Sequence, residues 1–247
     1  LDRSSQFTTR EKGPKDLVTD VDLAAQQVIE QTIKSAFPDH AFLGEEGDRP
    51  PTDGGPSWIA AQENCWIVDP LDGTVNYVHG LQPFAVSIAL MQQGQPIVGV
   101  VYDPCSEECY SAELGQGAQL NGEPLRSSDC QSLDQSLVAA SFPPDVPRGA
   151  LEISQFVEML HQTQALRRLG SAALNLCYLA AGRLDAYWAT SPKAWDVAAG
   201  VLIAQEAGAL ITDLAGLPLQ WGQPQLAAAA TPPLHQQLLA TLANSGL

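Results

Sequence analysis

Lysine and arginine are scarce in this sequence, with 12 of them among 247 residues against 28 aspartates and glutamates, for a formal net charge of −16. Without a basic patch, a protein does not displace the counterions of a nucleic-acid backbone or bind an anionic membrane surface through charge. The composition therefore argues against nucleic acid and membrane as partners. It also predicts that any phosphate is bound through divalent metal, which reverses the local sign of the charge.

Long hydrophobic runs and paired cysteines are absent as well. No apolar run reaches about 18 residues, so a transmembrane helix is excluded. The five cysteines are irregularly spaced and include no Cys-x-x-Cys pair, which favours free thiols in a reducing compartment over a disulfide framework or a zinc site. No signal peptide is visible, and the first residue is not Met, so we expect a trimmed start and a cytoplasmic location.

The pattern of apolar residues predicts a mixed fold. A helical stripe runs over residues 20–37, and largely antiparallel strands follow it. The second half alternates strands and helices, which indicates an α/β half packed on the first. We therefore predict an α+β protein with an N-terminal metal-binding part over residues 1–141, a C-terminal α/β part over residues 142–247, and a site between them.

The most informative segment reads Trp-Ile-Val-Asp-Pro-Leu-Asp-Gly-Thr. Its apolar residues predict a short buried strand that stops at Pro70, because proline lacks the N–H donor that a strand needs. Asp69 and Asp72 then place two carboxylates in a turn where Gly73 permits positive φ, with the Thr74 hydroxyl beside them. A lone pair of aspartates of this kind is usually a solvated loop. With a hydroxyl alongside, it is also a candidate site for a hard cation.

Four acidic segments of the chain each place a carboxylate at a strand end or a helix start; they are residues 16–22, 44–46, 69–74 and 195–200. In this order, and with the motifs WxVDPxDGTxN and WDxAAG, they resemble the inositol monophosphatase family of the magnesium-dependent, lithium-sensitive phosphatase superfamily. The resemblance runs from about Lys12 to the C-terminal helix. It implies a layered αβαβα sandwich and a homodimer.

The resemblance also implies two or three magnesium ions per site, with Asp69 bridging two of them and the Leu71 carbonyl adding a ligand. The implied metal ligands are Glu45, Asp69, Leu71, Asp72 and Asp196. Two such ions polarise a phosphate and lower the pKa of a bound water. Thr74 with Asp22 would orient the attacking water, and Glu45 would assist as a base.

The residues expected to contact substrate come from three segments; they are Leu71, Asp72, Gly73, Thr74, Gly170, Ser171, Ala172 and Asp196. The amides at the start of a helix after Asp72 can cradle phosphate. Gly170 and Ser171 open another helix, and in the family this stretch lines the sugar or polyol site, although a simple strand-to-helix turn is an alternative. For Arg167 and Arg168 we expect a surface or subunit-interface role.

One position departs from the family pattern and bears on the substrate. Seven residues before Asp196, inositol-selective relatives carry a glutamate that binds ring hydroxyls, and here Ala189 stands there. A methyl group accepts no hydrogen bond, so selectivity for inositol is open.

The sequence predicts a magnesium-dependent phosphomonoesterase for inositol monophosphate or a similar small sugar or polyol phosphate. Alternatives within the same chemistry are fructose-1,6-bisphosphatase, histidinol-phosphatase and 3′-phosphoadenosine 5′-phosphate phosphatase. A remote alternative is a non-catalytic sensor of a phosphorylated ligand.

Overall fold

The computed structural model describes residues 8–13, 15–46, 56–222 and 224–245. The strands in these ranges are β1 (Thr9–Gly13), β2 (Asp16–Thr19), β3 (Ala41–Gly44), β4 (Asn64–Asp72), β5 (Ala85–Gln92), β6 (Gln95–Asp103), β7 (Glu108–Glu113), β8 (Ala118–Leu120), β9 (Glu123–Pro124), β10 (Leu137–Ser141), β11 (Ala165–Arg167), β12 (Ala186–Ala189), β13 (Leu210–Thr212) and β14 (Leu226–Ala229). The α-helices are α1 (Asp20–Ala36), α2 (Pro56–Ala61), α3 (Thr74–His79), α4 (Leu151–Gln162), α5 (Ala172–Ala180), α6 (Ala194–Glu206) and α7 (Pro232–Asn244).

These elements stack in five layers. A seven-stranded sheet has the order β3-β4-β5-β6-β7-β8-β9 and is antiparallel except for the parallel pair β3–β4. A five-stranded sheet has the order β11-β10-β12-β14-β13, with β10 parallel to both of its neighbours. Helices α5 and α6 lie between the sheets, α1 packs on the first sheet, and α4 and α7 pack on the second. The αβαβα sandwich expected from the sequence is confirmed.

The core is concentrated around the middle helix layer. Almost every residue of α5 and α6 is buried, as expected for helices covered by a sheet on each side. The backbone of α6 approaches β6 closely: a Cβ at Gly99 would lie 2.8 Å from the Ala199 carbonyl oxygen. This close packing fixes the start of α6, and with it Asp196, against the first sheet.

The structure corrects one detail of the predicted strand before the aspartates. β4 does not stop at Pro70 but continues to Asp72. Asp69 is paired with Ser87 and Asp72 with Ala85, so β4 has one residue more than β5 in this interval. Pro70 is tolerated because it lies in this bulge, where no ladder hydrogen bond is required of it.

The division of the chain after residue 141 stays a prediction. β10, at the end of the predicted first part, is a strand of the five-stranded sheet, and the α5–α6 layer packs against both sheets. No helix in the described ranges combines the length and the apolar character needed to cross a membrane. All five cysteines are free thiols.

Candidate active site

Most of the predicted site residues line one cavity of about 520 Å³. They come from the end of β3, the bulge of β4, the start of α3, the segment before α5 and the first turn of α6. Those in the lining are Glu45, Asp69, Leu71, Asp72, Gly73, Thr74, Gly170, Ala172 and Asp196. Two predicted residues, Asp22 and Ser171, are fully buried and lie outside the lining.

The bulge of β4 orients the first two carboxylates. The Leu71 amide donates a hydrogen bond of 2.9 Å to Asp69 Oδ1, which closes a tight turn over Pro70. Both Asp69 and Asp72 are buried yet contribute to the cavity lining. An extra residue in a strand bends the strand and changes the direction of its side chains. The single bulge in β4 therefore directs both aspartates toward the cavity.

Thr74 is held by a contact with the N-terminus of α1. Its Oγ1 lies 3.1 Å from Asp22 Oδ1 and 3.1 Å from the Leu71 carbonyl oxygen, so its single proton is donated to one of them at a time. Asp22 Oδ2 accepts hydrogen bonds from the amide and the hydroxyl of Thr19, in the capping box at the start of α1. Asp22 therefore fixes the Thr74 hydroxyl at the cavity wall.

Ser171 positions Asp72. Its hydroxyl donates to Asp72 Oδ2 at 2.5 Å and accepts the Leu174 amide at 3.2 Å as the N-cap of α5. The Ala173 amide donates to the same carboxylate oxygen at 2.7 Å. The sequence led us to expect this hydroxyl on the substrate, but the structure places it behind Asp72. The reason for this placement is local, because a side chain at the N-cap position turns back toward the first amides of its helix.

Asp196 enters the cavity from the first turn of α6. Its Oδ2 accepts the Lys193 amide at 2.8 Å, an N-terminal contact that a helix dipole reinforces. The four predicted carboxylates of the cavity therefore come from the end of β3, from β4 and from α6, and backbone or hydroxyl donors orient three of them.

Local sequence patterns do not single out Lys12, which the structure places beside Glu45. Lys12 Nζ lies 2.7 Å from Glu45 Oε1 and also bonds Glu46. Burial opposes its charge, but Glu45 and Glu46 outweigh burial and raise the pKa of Lys12. Gln26 holds the same segment: its Oε1 accepts the Glu46 amide at 2.9 Å.

A second unexpected contribution comes from Asn76, which joins α3 to the segment before α5. Its Nδ2 donates to the Pro83 carbonyl at 2.7 Å and to the Leu169 carbonyl at 2.8 Å. Gly170, at φ +90°, packs against this amide, and a Cβ there would lie 2.7 Å from Asn76 Nδ2. Asn76 therefore sets the position of the segment that carries Ser171.

The carboxylates of the cavity disfavour one another's ionisation. Burial is the main reason that the pKa of Asp69 lies well above its usual range, and the charges of Glu45, Asp72 and Asp196 add to it. Burial also raises the pKa of Asp72 to about 6, although the hydrogen bond from Ser171 opposes the shift. The pKa of Asp196 is raised well above its usual range, again mainly by burial. A cation would relieve this repulsion.

The donor set fits magnesium. It consists of carboxylate oxygens and the Leu71 carbonyl, the hard ligands that Mg²⁺ prefers. Among the described residues, no three acidic, histidine or cysteine side chains stand close enough to form a metal cage unaided. Mg²⁺ does not require one, because it keeps several waters and binds through one or two carboxylates and a substrate phosphate.

Comparison with known proteins decides the family. The model of the inositol monophosphatase family matches residues 2–247. The chain belongs to this family. A solved inositol monophosphatase from Anabaena (Nostoc) sp. PCC 7120 superimposes with a TM-score of 0.82 at 37% identity, over 90% of this chain and 85% of that one.

Two further relatives of this inositol monophosphatase family member bear on its chemistry. An IMPase/NADP phosphatase solved in complex with Mg²⁺ and phosphate has a TM-score of 0.84 and 26% identity, over 97% of this chain and 87% of that one. A protein of Vibrio cholerae serotype O1 named Nus factor SuhB is 42% identical over 217 residues, which are 87% of this chain and 79% of the relative. The family and the magnesium-bound structure support a phosphatase that uses magnesium.

Proposed function

We propose that this protein is a Mg²⁺-dependent phosphomonoesterase that hydrolyses inositol monophosphate or a similar small sugar or polyol phosphate. One observation carries the proposal: Glu45, Asp69, Asp72 and Asp196 line a single cavity together with Thr74, whose hydroxyl is held by Asp22. Family membership supports the same chemistry.

The residues divide into three roles. Magnesium would be held by carboxylates and one carbonyl, namely those of Glu45, Asp69, Leu71, Asp72 and Asp196. Bound there, it would neutralise phosphate charge and make a water nucleophilic at neutral pH. The Thr74 hydroxyl, which donates its proton to Asp22, would accept a hydrogen bond from the attacking water, and Glu45 would take up the proton that the water loses.

Substrate phosphate would be bound by backbone amides and by the ions. The amides of Gly73 and Thr74 begin α3 at the cavity wall, where partial positive charge attracts anions. Gly170 and Ala172 line the part of the cavity that would hold the polyol. Ala189 is fully buried in β12, between Ser141 of β10 and Leu226 of β14. It offers no acceptor for a ring hydroxyl.

The substrate is best identified with a panel of phosphate esters in saturating Mg²⁺. We expect phosphate release from inositol 1-phosphate. Its kcat/KM is compared with those of glycerol 2-phosphate, fructose 1,6-bisphosphate, histidinol phosphate and 3′-phosphoadenosine 5′-phosphate. Asp196→Asn provides the inactive control. A preference of several hundredfold for one of the last three would replace inositol monophosphate by that substrate. Absence of release from every ester would contradict the phosphatase itself.

The non-catalytic alternative has one observation in its favour. The relative named Nus factor SuhB does not carry the name of an enzyme. The same panel separates the two functions, because a sensor would bind a phosphorylated ligand without releasing phosphate. A homodimer, a cytoplasmic location and the lack of nucleic-acid and membrane partners stay predictions.

A further inference from the structure

The cavity of the candidate active site is lined by carboxylates and by few positively charged side chains. Among the described residues of its lining, two side chains are positively charged, Lys15 and Arg168. Lys15 is neutralised, because its Nζ lies 2.7 Å from Asp145 Oδ1. Arg168 is exposed at the rim and has no carboxylate within 4.0 Å in the described part of the chain.

The guanidinium of Arg168 packs on an aromatic ring that belongs to a larger aromatic cluster. Its guanidinium carbon lies 5.6 Å from the ring centroid of Phe142, within the range of a cation–π contact. Phe142 packs edge-to-face on Trp188 at 5.9 Å and on Phe156 at 5.8 Å, and Trp188 is fully buried. The guanidinium thus rests on a ring that is anchored in the core, which lowers the entropy that a ligand would have to remove.

Part of the cavity lining carries no charge. Prolines and a hydroxyl contribute it, from Pro143, Pro144, Ser191 and Pro192, and the first two follow Phe142, the ring that the Arg168 guanidinium contacts. The acids of the cavity lie at its buried end or, for Asp16, on the β1–β2 hairpin next to Lys15. A guanidinium binds phosphate or carboxylate through two parallel hydrogen bonds.

We propose that Arg168 is a specificity-determining residue that binds a second anionic group, a phosphate or a carboxylate, on a substrate whose scissile phosphate lies at the acidic end. This inference rests on the proposed function and narrows its substrate class to small esters with two anionic groups. It replaces the surface or interface role expected from the sequence for this arginine.

The test compares esters that differ only in the remote group. Fructose 1,6-bisphosphate and fructose 1-phosphate differ by a phosphate. The open-chain esters 6-phosphogluconate and sorbitol 6-phosphate differ by a carboxylate in place of a hydroxymethyl group. For each pair, the ratio of kcat/KM with and without the second anion is measured in Mg²⁺ for wild type, Arg168→Gln, Arg168→Lys and Arg167→Gln. Arg167 is the matched control: it is exposed, it carries the same charge, and its Nη1 donates to the Leu166 carbonyl at 3.0 Å.

We expect Arg168→Gln to lower the ratio about tenfold to a hundredfold for at least one pair, the loss of a charge-assisted hydrogen bond. The ratio for Arg168→Lys should lie between those of wild type and Arg168→Gln, because lysine keeps the charge but lacks the planar guanidinium. Arg167→Gln should keep the wild-type ratio. The pair that responds identifies the second anion as phosphate or carboxylate.

Three results would overturn the inference: ratios that Arg168→Gln leaves unchanged, ratios that both arginine variants lower equally, or a change in oligomeric state by light scattering with no change in either ratio. If the protein hydrolyses the esters but the ratios are the same in wild type and in Arg168→Gln, only this inference is overturned and the proposed function stands. A wild-type protein that hydrolyses none of them, nor inositol 1-phosphate, would remove the proposed function and this inference with it.

Discussion

At the scale of single residues, Asp69 is a buried carboxylate surrounded by other carboxylates. It is 2% exposed and faces the charges of Glu45, Asp72 and Asp196. A carboxylate in such a position costs folding energy unless a cation is bound beside it. Because we propose that Asp69 binds this cation, its contribution to activity and its cost to folding can both be measured in one variant.

We expect Asp69→Asn to remove activity while stabilising the protein in a chelator. The amide oxygen can still accept the Leu71 N–H, so the turn is kept, but the charge that the bound ions require is lost. Turnover in saturating Mg²⁺ should fall below about a tenth of wild type, a barrier increase above about 1.4 kcal/mol. In EDTA, calorimetry should show a higher Tm than for wild type. Asp39→Asn, an exposed aspartate outside the cavity, is the control for net charge.

The Tm difference between Asp69→Asn and wild type should depend on pH. The pKa of Asp69 is raised in the folded protein, so the unfolded chain ionises first, and the penalty grows as pH rises through the folded-state pKa. In EDTA, the Tm advantage of Asp69→Asn should therefore be small near pH 4 and increase toward about pH 8. An advantage that shrinks with pH would contradict the buried, mutually repelling arrangement of carboxylates.

Single residues differ in how far the sequence predicts them. The carboxylates and Thr74 were found because the family motifs contain them. Lys12 and the position of Ser171 behind Asp72 were not, since their partners lie 33 and 99 positions away in the chain. Contacts of this length depend on how the layers stack, and local patterns do not encode them.

At the scale of elements, the site is assembled where several of them begin or end. The sequence predicted acidic segments at helix starts, and the structure places Asp22 and Asp196 in the first turns of α1 and α6. The β4 bulge was not predicted, because proline in a strand is compatible both with its end and with a bulge. Pairing with β5 decides between them, and that pairing is tertiary.

We expect Asn76→Asp to weaken the junction between α3 and the segment before α5. The substitution keeps the size of the side chain but removes the Nδ2 donor that serves the Pro83 and Leu169 carbonyls. Losing these bonds should cost about 1–3 kcal/mol in the free energy of unfolding. Because Gly170 and Ser171 would shift, kcat/KM should fall about tenfold or more.

The control for this variant is Asn64→Asp, since Asn64 accepts only an exposed bond from Gln92. Chemical denaturation and kinetics measure the two effects separately. An Asn76→Asp protein as stable and as active as the control would show that this amide does not position the segment.

At the scale of the whole molecule, the five layers bring distant segments to one cavity. The run of strands in the first half predicted an antiparallel sheet, and the alternation of strands and helices in the second half predicted an α/β part. The family resemblance implied how these layers stack. The close approach of α6 to β6 at Gly99, and the shared α5–α6 core, came only from packing. The net charge of −16 agrees with a site that depends on cations to accept a phosphate.

The most direct measurement of the central claim is phosphate release before and after removal of divalent metal. Wild-type protein treated with EDTA and then returned to Mg²⁺ is assayed on a pool of inositol 1-phosphate, glycerol 2-phosphate and fructose 1,6-bisphosphate, with Asp69→Asn alongside. We predict that chelation lowers release by at least about a hundredfold, roughly 2.7 kcal/mol of barrier, and that Mg²⁺ restores it in wild type alone. Release that persists in EDTA, or that Mg²⁺ restores equally in Asp69→Asn, would contradict the claim that these carboxylates form a magnesium-dependent phosphatase site.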